Sequence, residues 1–151
     1  MAAAGPFQQK TMAVEQTFTI IKPDSTAAGH IGEIITEIEK AGFEILAMKK
    51  TRLTRSQAEA FYQVHRERPF FDSLVAFMTG GEIVAMALRR EGAIAGLRQL
   101  MGATDPAKAA EGTIRKKFGT DIERNAIHGS DAPETARDEL SYFFTQLELA
   151  R

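Results

Sequence analysis

Cysteine is absent from this chain of 151 residues. Its absence excludes disulfide bonds, a thiolate nucleophile and metal sites built on cysteine. The composition fits a reducing compartment, and we therefore expect a cytoplasmic protein.

Long apolar runs are also missing. A membrane-spanning helix needs roughly 20 apolar residues, whereas residues 83–88 form one of the longest uninterrupted apolar runs here. Residues 1–12 contain no apolar signal core. We therefore expect a flexible N-terminal extension at residues 1–12, a catalytic domain at residues 13–151 and no membrane association.

Neither sign of charge is in large excess, because 19 Lys and Arg residues face 20 Asp and Glu residues. A global attraction to nucleic acid or to an anionic membrane is thus excluded, and any anion must be bound by a local cluster of positive charge. We predict no nucleic-acid binding.

Familiar catalytic motifs are missing as well. The chain lacks the phosphate loop G-x4-G-K-[ST] and the G-x-S-x-G elbow of serine hydrolases. Its three histidines, His30, His65 and His128, do not have the spacing of metal ligands. The sequence therefore predicts neither of these enzyme classes and no dedicated metal cage.

The apolar residues make up 44% of the chain, which suffices for one domain with a sizeable core. Alternating or continuous apolar patterns predict strands at residues 17–22, 43–53, 83–88 and 126–128. Helical spacing predicts helices at residues 31–41, 71–79, 94–101 and 136–147, and Thr54 with Gln57 forms the capping box of another. This order favours an antiparallel sheet with helices packed on one face.

Residues 125–131, Asn-Ala-Ile-His-Gly-Ser-Asp, are the most informative stretch. His128 is predicted where a short strand ends and a helix begins, with Ser130 and Asp131 as candidate N-caps and Gly129 avoiding a Cβ clash at the turn. These residues and the helix N-terminus suit a phosphate beside the imidazole. One nitrogen of a neutral imidazole can attack while the other keeps its proton, so His128 is a candidate nucleophile for phosphoryl transfer.

Charged side chains elsewhere complete a candidate site. Glu139 lies one helical turn from Ala136 and Phe143, close to the inward face, where it could accept the imidazole proton. The alternative is a solvated surface glutamate. Arg98 and Arg115 are candidate phosphate clamps because a guanidinium group keeps its charge, although a single arginine is more often a surface residue.

Aromatic residues have two possible functions. Phe70 and Leu74 share a helical face and could form an apolar edge for a planar base, or they could belong to the core. Phe71 is expected to point inward. Tyr62 could be a phenolic donor to the transferred group or a core aromatic.

The stretch at residues 125–131 resembles the active-site signature of the nucleoside diphosphate kinases. Other blocks are similar to that family in order and spacing: Ile20-Ile21-Lys22-Pro23-Asp24, Arg68-Pro69-Phe70-Phe71, Met101-Gly102-Ala103-Thr104 and Gly112-Thr113-Ile114-Arg115. The resemblance implies a ferredoxin-like α+β sandwich, a single domain whose four-stranded antiparallel sheet is covered by helices. It also implies a ping-pong transfer of the γ-phosphate from a nucleoside triphosphate to a nucleoside diphosphate through a phosphohistidine at His128.

The resemblance implies a function for each site residue. By this resemblance, the catalytic residues would be His128, Glu139, Lys22 and Tyr62. Nucleotide binding falls to Lys22, Phe70, Leu74, Arg98, Thr104, Arg115 and Asn125, with Ser130 and Asp131 in support. The family further implies Mg²⁺ held mainly by the nucleotide phosphates, and a homo-oligomer, tetramer or hexamer, built from dimers.

Some positions depart from the family pattern, namely Ser25, Gly81-Glu82, Arg89-Arg90 and Asp105. Asp105 would weaken nucleotide affinity if its carboxylate faced the phosphate site at Thr104.

Two other functions are considered. An RNA-binding sheet would need exposed aromatic residues on its central strands, and residues 83–88 contain none. A non-catalytic scaffold is disfavoured because the residues expected of the active site are intact: His128, Arg98, Arg115, Asn125 and Glu139.

Overall fold

The structure, a computed structural model, describes residues 12–150. The extension predicted at residues 1–12 lies outside this range except for Met12, whose side chain lies over Gly92. Within the described range, no helix is long and apolar enough to cross a membrane.

Four strands and eight α-helices follow one another in residues 12–150. The strands are β1 (Val14–Ile21), β2 (Glu44–Thr51), β3 (Ile83–Glu91) and β4 (Ile127–Gly129). The helices are α1 (Pro23–Ala27), α2 (Ile31–Lys40), α3 (Arg55–Phe61), α4 (Phe71–Thr79), α5 (Ala93–Met101), α6 (Ile114–Phe118), α7 (Pro133–Phe143) and α8 (Gln146–Leu149). Every predicted strand is present, with shifted ends.

The strands form one antiparallel sheet in the order β2-β3-β1-β4. The chain's first and last strands are therefore neighbours, with Ile20 of β1 opposite His128 of β4. The four-stranded antiparallel sheet implied by the family resemblance is confirmed.

Helices cover both faces of this sheet, so the prediction of helices on one face is wrong. Along β3, Ile83, Ala85 and Ala87 pack into one core cluster with residues of α3, α4 and α7. The alternate residues Val84, Met86 and Leu88 pack into a second cluster with α2, α5 and α6. A continuous apolar run suits this arrangement, because both faces of the strand are buried.

Local signals set most helix ends. Gly42 follows α2 with φ +93°, and Gly102 follows α5 with φ +90°, a backbone region that glycine adopts without strain. The capping box of Thr54 and Gln57 opens α3 as predicted. That helix ends at Phe61, before Pro69, and a 3₁₀ turn at Gln63–His65 connects it towards α4.

The start of α7 differs from the prediction. Its N-cap is Ala132, whose N–H donates to the Thr135 hydroxyl at 3.0 Å. Ser130 and Asp131 are not caps, because their side chains bond to Glu139 and to Thr135 instead. The C-terminal helix predicted at residues 136–147 is divided into α7 and α8.

The paired arginines that depart from the family pattern have structural contacts. Arg89 contacts the Glu44 carboxylate at 2.7 Å across two strands. The Arg90 guanidinium lies 4.4 Å from the centre of the Phe43 ring and donates to the Ala41 carbonyl at 2.9 Å. Both substitutions therefore support the junction of β2, β3 and α2.

Candidate active site

His128 is held on the edge strand β4. Its carbonyl accepts a hydrogen bond from the Thr19 hydroxyl at 2.7 Å, and Ser130 N–H donates to the Phe18 carbonyl at 3.1 Å. The imidazole stands edge-on to the rings of Phe61 and Phe18, with centroids 5.8 Å and 6.1 Å away. Both the backbone and the ring of His128 are thus fixed by residues from elsewhere in the chain.

Glu139 lies beside the imidazole, as predicted. Its Oε1 is 2.9 Å from His128 Nε2 and also accepts the Ser130 hydroxyl at 2.6 Å. Because a carboxylate accepts hydrogen bonds, we assign the imidazole proton to Nε2. The lone pair of His128 is then on Nδ1.

Gly129 is needed for close packing and not for a turn. It lies within β4, and a Cβ at this position would be 2.6 Å from Met101 Sδ and 3.1 Å from Leu97 Cδ2. The absence of a side chain therefore lets β4 approach α5 closely. The expected Cβ clash exists, but its partner is helix α5.

Three positive side chains lie near one another and near His128. Arg98 donates to the Gly129 carbonyl at 3.1 Å, and Arg115 donates to the Ile127 carbonyl at 2.8 Å and to the Gly102 carbonyl at 3.1 Å. Burial, with the nearby Arg98, lowers the pKa of Arg115 to about 10. Burial, with the nearby Arg115, lowers the pKa of Lys22 to about 8. Such a concentration of positive charge attracts anions.

A hydrogen-bonded chain connects Lys22 to the long segment between α5 and β4. Lys22 Nζ donates to Asn125 Oδ1 at 2.8 Å, and Asn125 Nδ2 donates to the Thr104 carbonyl at 3.0 Å. Lys22 and Asn125 are buried, whereas Thr104 is exposed. The adjacent Asp105 carboxylate accepts the Ala107 N–H at 3.0 Å and so caps the short turn that follows.

Tyr62 is a core aromatic with a buried hydroxyl. It is 6% exposed and belongs to the cluster between the sheet and α3, α4 and α7. Its hydroxyl has no hydrogen-bond partner among residues 12–150. Burial and then the nearby Glu139 carboxylate raise the pKa of Tyr62, so the phenol is neutral at physiological pH.

Phe71 is buried whereas Phe70 is exposed, so the prediction that Phe71 points inward is confirmed. Phe70 is 46% exposed and Phe71 is 7% exposed. Leu74, four residues after Phe70, is partly buried against the core. Phe70 therefore offers an exposed aromatic face at the start of α4.

Side chains of α4 contact the segment before β4. The Arg124 guanidinium lies 5.7 Å from the centre of the Phe77 ring. The Ser73 hydroxyl donates to the Glu123 carboxylate at 2.9 Å. The Glu123 carbonyl also lies 3.5 Å from Lys22 Nζ. These contacts hold α4, at whose start Phe70 is exposed, against the segment that contacts Lys22.

Comparisons with known proteins agree with this geometry. The family model described as "Nucleoside diphosphate kinase" matches residues 15–149. A nucleoside diphosphate kinase of Trichlorobacter lovleyi is 57% identical over 136 residues, which cover 90% of this chain and 99% of the relative. The chain belongs to the nucleoside diphosphate kinase family. It is accordingly an enzyme, a phosphotransferase that acts on nucleotides.

Solved structures agree with this assignment. The Aquifex aeolicus nucleoside diphosphate kinase is 47% identical with a TM-score of 0.88, covering 90% of this chain and 99% of that one. A Halobacterium salinarum nucleoside diphosphate kinase in complex with CDP is 40% identical with a TM-score of 0.86, covering 90% and 91%. The ferredoxin-like fold implied by the sequence resemblance is therefore confirmed.

Three residues of this nucleoside diphosphate kinase site were not singled out from the sequence. Asp24 accepts a hydrogen bond from the backbone of Ala126, and Ser73 donates a hydrogen bond to Glu123. Both contacts join residues at least 50 positions apart. For Asp24, a carboxylate two residues after the candidate site lysine Lys22 is a usable sequence signal.

Proposed function

We propose that the chain transfers the γ-phosphate of a nucleoside triphosphate to a nucleoside diphosphate in two steps, through a phosphohistidine at His128. The contact of His128 Nε2 with Glu139, at 2.9 Å, carries this proposal because it leaves the Nδ1 lone pair for attack. Ser130 supports the arrangement by donating to the same carboxylate oxygen.

In the first step, His128 Nδ1 forms a bond to the γ-phosphorus. The bond between that phosphorus and the bridging oxygen breaks, and the nucleoside diphosphate leaves with the electron pair. In the second step, a terminal phosphate oxygen of another nucleoside diphosphate attacks the phosphorus, and the N–P bond breaks. The proton on Nε2 stays next to Glu139, which stabilises the positive charge that develops on the ring.

The residues around His128 suit a polyphosphate. Arg98 and Arg115 would bind phosphate oxygens through guanidinium N–H groups, and Lys22 would add a third positive charge. Thr104 would add a hydroxyl donor. Asn125, with Lys22, would bind the ribose.

The remaining part of the nucleotide would lie towards α4. Phe70 and Leu74 would contact the base, and the exposed ring of Phe70 supports stacking. Tyr62 would act through its buried phenol next to Glu139, and Asp131 would hold the start of α7 through Thr135. A related structure that contains CDP supports a nucleotide in this family's site.

Magnesium is the proposed cofactor. Within residues 12–150, no group of three or more His, Cys, Asp or Glu side chains could hold a metal ion. The positive cluster of Lys22, Arg98 and Arg115 likewise suits phosphates better than a bare cation. These residues therefore fit a magnesium ion that the nucleotide phosphates carry. When bound, the ion would neutralise part of the phosphate charge.

We further propose that residues 13–151 form the catalytic domain of a cytoplasmic homo-oligomer, a tetramer or hexamer built from dimers. Met48 on β2 is 52% exposed and supports association, because methionine is enriched at protein–protein interfaces. Light scattering distinguishes the two assemblies by mass.

The test of the mechanism is isolation of the phosphoenzyme. The protein is incubated with a triphosphate labelled at the γ-phosphate and with magnesium, without an acceptor. We expect acid-labile, alkali-stable label on His128, which a diphosphate removes.

Substitutions provide the controls. His128→Ala should abolish the label, and His65→Ala should keep it. Transfer that persists in His128→Ala, or label on another residue, would overturn the proposal.

A further inference from the structure

The backbone next to the nucleophile is strained. Ala126 has φ +77° and is the only residue other than glycine with a positive φ among residues 12–150. Ile127 N–H donates to the Asn125 carbonyl at 2.9 Å, so Ala126 is the middle residue of a three-residue γ-turn. For a residue with a Cβ, this conformation is rare and persists only where the surroundings enforce it.

The segment after β1 enforces this conformation from both sides. Lys22 N–H donates to the Ala126 carbonyl at 2.9 Å. Ala126 N–H donates to Asp24 Oδ2 at 3.0 Å. Both polar groups of the strained residue are therefore bonded to one short stretch of chain, and the acceptor is the side chain of Asp24.

The strained turn lies between functional groups. Asn125, on one side, holds Lys22 Nζ and the Thr104 carbonyl. His128, on the other side, lies in β4, two residues after Ala126. A different φ at Ala126 would move the amide of Asn125 relative to the imidazole, because the turn sets the direction of the chain between them.

We propose that Asp24 is a positioning residue for phosphoryl transfer, which holds the γ-turn at Ala126 and thereby fixes Asn125 and His128 relative to each other. Asp24 acts through the backbone and does not touch the substrate. This inference rests on the proposed phosphohistidine mechanism. It deepens that mechanism by naming what keeps the nucleophile in place.

The carboxylate of Asp24 is suited to this function. It is half-buried at the first turn of α1, and its other oxygen, Oδ1, is buried without a partner among the described residues. α1 is itself fixed by the Thr26 hydroxyl, which donates to the Glu82 carbonyl at 2.6 Å. Asp24 therefore connects the strained turn, through α1, to the residue that precedes β3.

The experiment compares three variants, Asp24→Ala, Asp24→Asn and the double variant Asp24→Ala with Ala126→Gly. The measured quantity is the single-turnover rate of phosphohistidine formation at saturating triphosphate, with nucleotide affinity measured separately. Asp24→Ala leaves the Ala126 N–H without an acceptor, so the rate should fall about tenfold or more, with a smaller loss of affinity.

The other two variants separate positioning from charge. Asp24→Asn keeps an oxygen that can accept the hydrogen bond and should stay within about threefold of the wild type. In the double variant, glycine adopts a positive φ without strain, so most of the rate lost in Asp24→Ala should return. If Asp24→Asn is as slow as Asp24→Ala, or if glycine restores nothing, the proposal is overturned.

A control and an independent readout complete the test. Ser25→Ala changes the neighbouring buried hydroxyl, which has no partner among the described residues, and should leave the rate unchanged.

Amide hydrogen exchange at Ala126 should accelerate in Asp24→Ala and not in Asp24→Asn. This readout does not require a phosphohistidine. A failure of the mechanism, detected as a wild type that is not labelled on His128, is therefore distinguishable from a failure of the positioning function.

Discussion

Lys22 carries its charge where a charge is costly. It is 8% exposed, and burial with the nearby Arg115 lowers its pKa to about 8. A bound polyphosphate favours the charged form and raises this pKa again. Above pH 8 nucleotide binding therefore requires the uptake of a proton, and nucleotide affinity should fall by up to about tenfold per pH unit. Calorimetric titration with ADP and magnesium, from about pH 7.5 to about pH 9.5, measures this slope.

Two comparisons test the assignment to Lys22. Buffers with different ionisation enthalpies report the proton uptake directly. Lys22→Arg keeps a charge that does not titrate in this range, so its affinity should be independent of pH. If the nucleotide affinity of the wild type does not change across this pH range, Lys22 stays neutral or stays fully charged throughout. That result would contradict the prediction.

Sequence alone identified candidate site residues but few of the contacts that they make. The acidic partner of His128 was predicted because Glu139 lies near the inward face of a helix. Ser130 was predicted as a helix cap and instead donates to Glu139, since the approach of α7 to β4 is a tertiary property. The bond of Asp24 to Ala126 joins positions 102 residues apart, and no local pattern reports it.

At the scale of elements, the approach of β4 to α5 depends on Gly129. An alanine Cβ would lie 2.6 Å from Met101 Sδ, and Met101 is fully buried. Gly129→Ala should therefore lower the free energy of unfolding by about 1 to 3 kcal/mol and displace His128. Urea unfolding and single-turnover phosphorylation measure the two effects.

Gly32→Ala is the matched control. Gly32 lies in α2, where a Cβ would meet no atom within 4 Å. Because alanine is the better helix former, Gly32→Ala should raise the free energy of unfolding by roughly 0.5 to 1 kcal/mol. If Gly129→Ala is as stable as the wild type, Met101 must have moved without cost, and the contact is not tight.

Elements with strong periodicity were predicted well, and those set by neighbours were not. α2 and α5 show helical spacing and end before glycines, and β3 is a continuous apolar run. Because this run makes both faces of β3 apolar, helices must cover both faces of the sheet. The order of strands and helices along the chain did not predict this arrangement. The true cap of α7, Ala132, carries no side-chain signal, since alanine has no hydrogen-bonding group.

At the scale of the whole molecule, buried charge makes stability depend on pH. The pKa of Lys22 is about 8 in the folded chain, below the ordinary lysine value of 10.5. Between these values the unfolded chain binds more protons than the folded chain, so the free energy of unfolding rises with pH. The wild type should therefore gain about 1 kcal/mol per pH unit relative to Lys22→Met across this range.

Urea unfolding of both proteins at three pH values between about 8 and about 10 measures this gain. A repeat with saturating ADP provides the control, because the bound phosphates keep Lys22 charged and the slope should flatten. Equal slopes for the wild type and Lys22→Met without nucleotide would contradict the prediction.

The first and last strands are neighbours in the sheet, and this adjacency has a consequence during synthesis on the ribosome. Thr19 and His128 lie 109 positions apart, and Lys22 and Asn125 lie 103 positions apart, yet each pair is hydrogen bonded. A nascent chain can pair β1 with β3 once β3 has left the exit tunnel, but the other edge of β1 has no partner until β4 follows. His128 and Glu139 therefore come together late in translation, and a messenger cut before the codon for Glu139 yields a polypeptide without this contact.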